Sequence, residues 1–130
     1  MSKVVIDTNV LVSAFVSRGL SFDVIKDASY RHDVYSSEAL LKEFRHVLSI
    51  KFHLSEEALR FASETLTKYF IKGITAPTVE AISSDPADNR ILADALANEC
   101  DLLVTGDKEL LALKHYRQLR ILSPGDYWKL

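Results

Sequence analysis

The chain has 130 residues, 48% hydrophobic and 26% charged, with 4 Gly, 3 Pro and one Cys. That is enough to bury the core of one domain, residues 1–130, without a disulfide or metal staple, so Cys100 reads as a small buried hydrophobe. The 16 basic and 18 acidic residues leave a net charge of -2 with no basic tail, which excludes nucleic-acid binding by phosphate neutralisation alone and requires any such role to rest on a local site.

The start of the chain lacks a charged and then long apolar leader, and no apolar run approaches the roughly 18 to 20 residues of a membrane span. A soluble, cytoplasmic protein is expected. Lys3-Val4-Val5-Ile6 is a β-branched run of the kind buried on both faces of a parallel sheet, and it ends on Asp7. Thr8-Asn9 then supplies cap-type side chains before a helix over Val10 to Phe15. A second helical stretch covers about Ser21 to Tyr30, followed by a short strand near Val34-Tyr35-Ser36.

The next helix, from Ser37 to Leu48, carries Leu40, Leu41, Phe44, Val47 and Leu48 at helical spacing, and another opens at Ser55-Glu56-Glu57 with negative charge in its first turn. Between Ile71 and Ile82 the pattern loosens. There Ile74-Thr75-Ala76-Pro77 reads as a connector or a short edge strand, because Pro77 has no N–H for a ladder. Asp85-Pro86 starts a helix with an acid at the cap and proline in the first turn, running through Asn98. The most hydrophobic strand, Leu102-Leu103-Val104-Thr105, follows and stops at Gly106-Asp107. A helical patch from Lys108 to Leu113, a strand at Arg120-Ile121-Leu122 and a final turn complete the chain. Strands alternating with helices predict a three-layer α/β/α sandwich with a mainly parallel central sheet.

Ligands of such sheets sit beyond the carboxyl ends of the strands. Asp7 and Asp107 each follow an apolar strand at that edge, so a shared cation explains them better than two unrelated turns. At about 100 degrees per residue, Asp88 falls in the middle of the arc of Ile91, Leu92, Ala95 and Leu96 and points inward, whereas Asp94, roughly 120 degrees away, is expected in solvent. Asp85 is explained by capping alone. Glu43 lies at the rim of its helix's apolar stripe, either in the same cleft or paired with an arginine such as Arg90; Glu38, on the same helix, would replace it if the register shifted. Acids gathered in one cleft raise each other's pKa unless a divalent cation neutralises them, and hard oxygen ligands select Mg²⁺ or Mn²⁺. Such a centre suits phosphodiester hydrolysis. Arg18, Lys42, Arg45, Arg90 and Lys108 lie near it in sequence and are weak candidates for guiding a nucleic-acid backbone.

The opening strand into Asp7-Thr8-Asn9, the Ser37 to Leu48 helix with Glu43, the run Asp85-Pro86-Ala87-Asp88-Asn89-Arg90 and its continuation to Ala95, and Leu103-Val104-Thr105-Gly106-Asp107-Lys108 together resemble the PIN-domain ribonucleases, most closely the toxins of VapBC-type toxin-antitoxin pairs. The resemblance implies an Mg²⁺- or Mn²⁺-dependent endoribonuclease acting on RNA. Its acidic quartet maps to Asp7, Glu43, Asp88 and Asp107, with Asn9 and Thr105 supporting them, and it implies a homodimer and a cognate antitoxin.

Two other functions fit parts of the pattern. An aspartyl-nucleophile phosphatase would use Asp7, but Asn9 stands where its second acid belongs. A non-catalytic module would use the acidic cleft to hold a basic partner. His32, His46, His53 and His115 share no ligand spacing, which argues against zinc and against a nucleophilic triad. Tyr116, Tyr127 and Trp128 are expected to pin the chain end to the core.

Overall fold

The computed structural model describes residues 2–17 and 19–130. In chain order the elements are β1 (Lys3–Ile6), α1 (Thr8–Ser17), α2 (Leu20–Arg31), β2 (Asp33–Ser36), α3 (Glu38–Ile50), α4 (Glu56–Tyr69), β3 (Ile71–Lys72), α5 (Pro86–Ala97), β4 (Leu102–Val104), α6 (Lys108–Leu113), β5 (His115–Tyr116), β6 (Leu119–Leu122) and α7 (Pro124–Tyr127). Six strands form one sheet in the order β3-β2-β1-β4-β6-β5. All pairings are parallel except β5 with β6. Consecutive residues Val4, Val5 and Ile6, and likewise Leu102, Leu103 and Val104, are all buried although they alternate between the two faces of the sheet. Helices therefore flank both faces, which is the expected α/β architecture. Among the described residues no helix is long and apolar enough to cross a membrane.

The chain leaves β1 toward β2 and β3 on one side and returns through β4 and β6 on the other, so the order reverses between β1 and β4. In a parallel sheet that reversal opens a crevice at the carboxyl ends of the two strands. Val4, Val5 and Ile6 are in register with Leu102, Leu103 and Val104. The residues that follow, Asp7 and Thr105, consequently emerge side by side.

Several local expectations change. The first helix starts at Thr8, two residues before Val10, because Asp7 O accepts from the amides of Val10 and Leu11 and so begins the helical ladder. The edge strand is Ile71–Lys72 rather than Ile74 to Pro77, and β5 is a short antiparallel addition whose polar, exposed His115 gave no strand signal. Tyr127 is buried and donates to Asp27 Oδ2 at 2.5 Å, but Trp128 is 46% exposed and does not join the core. Cys100 is fully buried, and burial pushes its thiol up to about 12.

The irregular stretch from Gly73 to Ser84 overturns the reading of Asp94. That side chain is 3% exposed rather than solvated. Arg90, Asp94 and Asn98 recur every four residues and form one stripe along α5. Arg90 donates to Ala76 O, Asp94 Oδ1 accepts from Ala76 N at 2.8 Å, and Asn98 bonds both N and O of Ile74. The stripe supplies hydrogen bonds that a segment without a sheet ladder would otherwise lack. It also packs closely, since a Cβ on Gly73 would stand 2.7 Å from Asn98 Oδ1.

Candidate metal centre

Asp7 is 7% exposed at the end of β1. Its Oδ1 accepts from Thr8 N at 2.8 Å and its Oδ2 from the Thr105 hydroxyl at 2.7 Å. The same hydroxyl accepts from Asp107 N at 3.0 Å, so the fully buried Thr105 ties the strand ends that carry the two acids. Asp107 is half-buried and caps α6, with Oδ1 accepting from Glu109 N at 2.9 Å and Leu110 N at 3.0 Å. Asp88, 5% exposed in the first turn of α5, points inward as its place on the helix predicts, and its Oδ2 accepts from the Ser83 hydroxyl at 3.1 Å. Glu43 is half-buried on α3 and lines the small cavity beside Asp7 and Thr8, whereas Glu38 is exposed. The register with Glu43 in the cleft is the one the fold adopts.

The electrostatics show that these acids share one field. Burial raises the pKa of Asp7; the Thr105 hydroxyl and the Thr8 amide oppose the rise, and the charges of Asp107 and Asp85 add to it. Asp88 is pushed up to about 6 by burial and then by Asp107, with smaller effects from Asp85 and Asp7, while Ser83 holds it down. Glu43 is raised by burial and next by Asp7, and Asp85 adds to it. The acid missed by sequence reasoning is Asp85. It does cap α5, accepting from Ala87 N at 2.9 Å, yet its charge is felt by Asp7, Glu43 and Asp88. Proximity of the α5 cap to the end of β1 is a tertiary fact that local spacing does not carry.

Among the described residues, none of Asp7, Glu43, Asp88 and Asp107 forms a salt bridge. Arg90 pairs with Asp94 at 3.4 Å, not with Glu43. Of the other basic candidates, Lys42, Arg45 and Lys108 are exposed, and Arg18 lies outside the described residues. Asn9 is exposed in the first turn of α1. No three His, Cys, Asp or Glu side chains among the described residues are grouped to hold an ion as they stand; the carboxylates face one crevice without closing on one point. Their chemistry nonetheless fits a divalent cation: every candidate donor is a hard carboxylate oxygen, and Asp7, Glu43 and Asp88 have pKa values raised first by burial and further by neighbouring carboxylates.

A much larger cavity of about 860 Å³ lies elsewhere, lined by Phe15, Phe22, Ile25, Tyr69, Phe70 and Trp128 among others. Its lining is mainly apolar and includes none of Asp7, Glu43, Asp88 and Asp107. The small cavity beside Asp7 and Glu43, about 40 Å³, adjoins the chemistry.

A PIN-domain family model matches residues 3–109. The chain belongs to the PIN-domain family. Among solved structures, this PIN domain is similar to a chain of VapBC2 from Rickettsia felis bound to a DNA fragment from their promoter, with TM-score 0.70 and 13% identity over 93% of this chain and 98% of that one. It is also similar to the PIN domain endonuclease Utp24, with TM-score 0.60 and 20% identity over 93% of this chain and 84% of that one. No curated protein matches the sequence. At these identities the two structures support the fold, and the family match supports a nuclease that hydrolyses nucleic acid.

Proposed function

We propose that this PIN domain is an Mg²⁺- or Mn²⁺-dependent endoribonuclease and the toxin of a VapBC-type pair. The observation that carries the reading is that Asp7, Asp88 and Asp107 stand around the crevice at the β1–β4 reversal, close enough for the charge of Asp107 to act on both Asp7 and Asp88, with none of the three in a salt bridge among the described residues. Asp7, Asp88 and Asp107 would hold the cation, and Glu43, on the Asp7 side, would hold a second one or orient the attacking water. Bound there, the metal would supply a water of lowered pKa and positive charge for the phosphodiester oxygens. Thr105 keeps Asp7 oriented and sets the backbone of Asp107. Asn9, exposed and two residues after Asp7, would support the site from its rim.

The acidic crevice also explains how a chain of net charge -2 meets RNA: it repels phosphate when empty and accepts it once charged with cation. Lys42, Arg45, Lys108 and Arg18 would act only by guiding the strand. Arg90 is less free to do so, since its guanidinium is engaged by Ala76 O and Asp94. The toxin reading carries with it an antitoxin partner, a homodimer and a cytoplasmic location.

The test incubates the protein with single-stranded RNA, and in parallel with DNA, in Mn²⁺, in Mg²⁺ and in EDTA. Cleavage of RNA should require the metal and fall by at least about 100-fold in Asp7→Asn. Expression of the wild type should arrest growth and that of Asp7→Asn should not. Metal-independent cleavage, or an Asp7→Asn protein as active as the wild type, removes the proposal.

A further inference from the structure

The turn before α5 is built around a side chain that the acidic quartet does not include. Asn89, 8% exposed and adjacent to Asp88, grips the backbone of the turn: its Oδ1 accepts from Ile82 N at 3.0 Å and Ser83 N at 2.7 Å, and its Nδ2 donates to Ser83 O at 2.9 Å. These bonds fix Ser83 from both sides of its residue. The Ser83 hydroxyl, in a residue 9% exposed, then donates to Asp88 Oδ2 at 3.1 Å and accepts from Asp85 N at 3.1 Å. The next residue continues the bracing, with Ser84 N and Oγ each 3.1 Å from an oxygen of Glu109 on α6, the helix capped by Asp107. A two-residue turn therefore joins the helix that carries Asp88 to the helix that Asp107 caps.

We propose that Ser83, clamped by Asn89, is the positioning residue for Asp88 in the metal centre. A carboxylate that is 5% exposed and has no salt bridge among the described residues needs a donor to hold its orientation. A lysine or arginine in that place would compete with the cation, whereas a hydroxyl orients the group without cancelling its charge. Groups of this kind commonly change metal affinity by about 10- to 100-fold when removed. The inference rests on the nuclease reading.

The experiment measures Mn²⁺ affinity of the full chain by electron paramagnetic resonance of free Mn²⁺, with thermal midpoints taken in EDTA. Ser83→Ala should weaken Mn²⁺ by about 10-fold or more, and RNA cleavage should fall at limiting Mn²⁺ and recover at saturating Mn²⁺. Ser83→Thr, which keeps the donor, should bind within about threefold of the wild type, and Thr67→Ala, a hydroxyl deletion on α4, should bind as the wild type does. If Ser83→Ala does not fold, Ser83→Cys, of similar size and a weaker donor, carries the same comparison. Ser83→Ala that binds Mn²⁺ like the wild type overturns the inference and leaves the nuclease reading standing. Equal weakening in Ser83→Thr does so too, because packing rather than the donor is then at work. A wild type that takes up no Mn²⁺ removes both.

Discussion

Acidic side chains stand at both ends of the central strands, and their circumstances are opposite. At the amino end, Asp101 is exposed and its Oδ2 accepts from Lys3 N at 2.9 Å, while Glu99 lies 3.7 Å from Lys3 Nζ. At the carboxyl end, Asp7 and Asp88 are buried, their pKa values are raised, and their side-chain partners are the neutral Thr105 and Ser83. The strands and the residue types are the same at the two rims. What differs is burial and pairing: the amino-rim acids lie in solvent with Lys3 beside Glu99, whereas Asp7 and Asp88 are buried with no ion pair among the described residues, so buried charge without a counter-ion, rather than acidity, marks the candidate site.

The sharpest way to break that contrast is to supply the missing charge. Mn²⁺ at 100 times its dissociation constant should stabilise the protein by about 2.7 kcal/mol, with EDTA reversing the gain. Asp107→Asn, which keeps a good cap for α6, should lose most of this stabilisation, and Asp101→Asn should retain all of it. Thermal midpoints with and without Mn²⁺ decide the matter. If Asp101→Asn abolishes the gain and Asp107→Asn does not, the two rims have been assigned the wrong way round.

A second contrast concerns pH. In the metal-free protein Asp88 has a folded pKa of about 6 against an ordinary value of 3.8. The folded state therefore holds this proton more tightly than the unfolded state, so stability is highest below the unfolded value and declines as pH rises through the folded one. Asp88→Asn removes the penalty. In EDTA at pH 7.5 it should unfold at higher urea, by roughly 1–3 kcal/mol, and the advantage should shrink to nothing by about pH 4. The same change should abolish cleavage. An Asp88→Asn protein less stable than the wild type at pH 7.5 would mean that the carboxylate is satisfied within the fold, as those of the amino rim are.

The two rims also show what a sequence can and cannot disclose. Asp7, Asp88 and Asp107 were legible because each sits at a fixed offset from a strong local pattern: the end of a β-branched strand, the apolar arc of a helix, the residues after the strand closed by Thr105. The fold was legible for the same reason, since parallel strands buried on both faces read as continuous apolar runs. Asp94 was not. Its place on the helix wheel, off the apolar arc, indicates solvent only when nothing covers that face, and here the face is covered by the Gly73 to Ser84 stretch, whose own sequence is irregular because its backbone bonds go to side chains of α5. The nearness of Asp85 to Asp7, Glu43 and Asp88 escaped for a related reason: its capping of α5 satisfies the local rule completely and says nothing of tertiary neighbours. Ser83 is one polar residue among several before α5, and only the clamp from Asn89 distinguishes it.

The smallest expected effect lies at the amino rim. Lys3 and Glu99 are 40% and 83% exposed in their side chains and 3.7 Å apart, so water and salt screen the attraction and ordering the two long side chains offsets much of it. Glu99→Gln should shift stability by less than about 0.5 kcal/mol, and that shift should shrink further in high salt. Glutamine is the informative replacement because Glu99 has φ 56°, a left-handed conformation in which glycine would relieve strain and confuse charge with backbone. A salt-insensitive loss of 2 kcal/mol or more, well beyond the usual range for an exposed pair, would show a carboxylate whose charge the fold requires. In that case the amino rim would depend on charge as strictly as the carboxyl rim, and offset charge could no longer be the property that separates them.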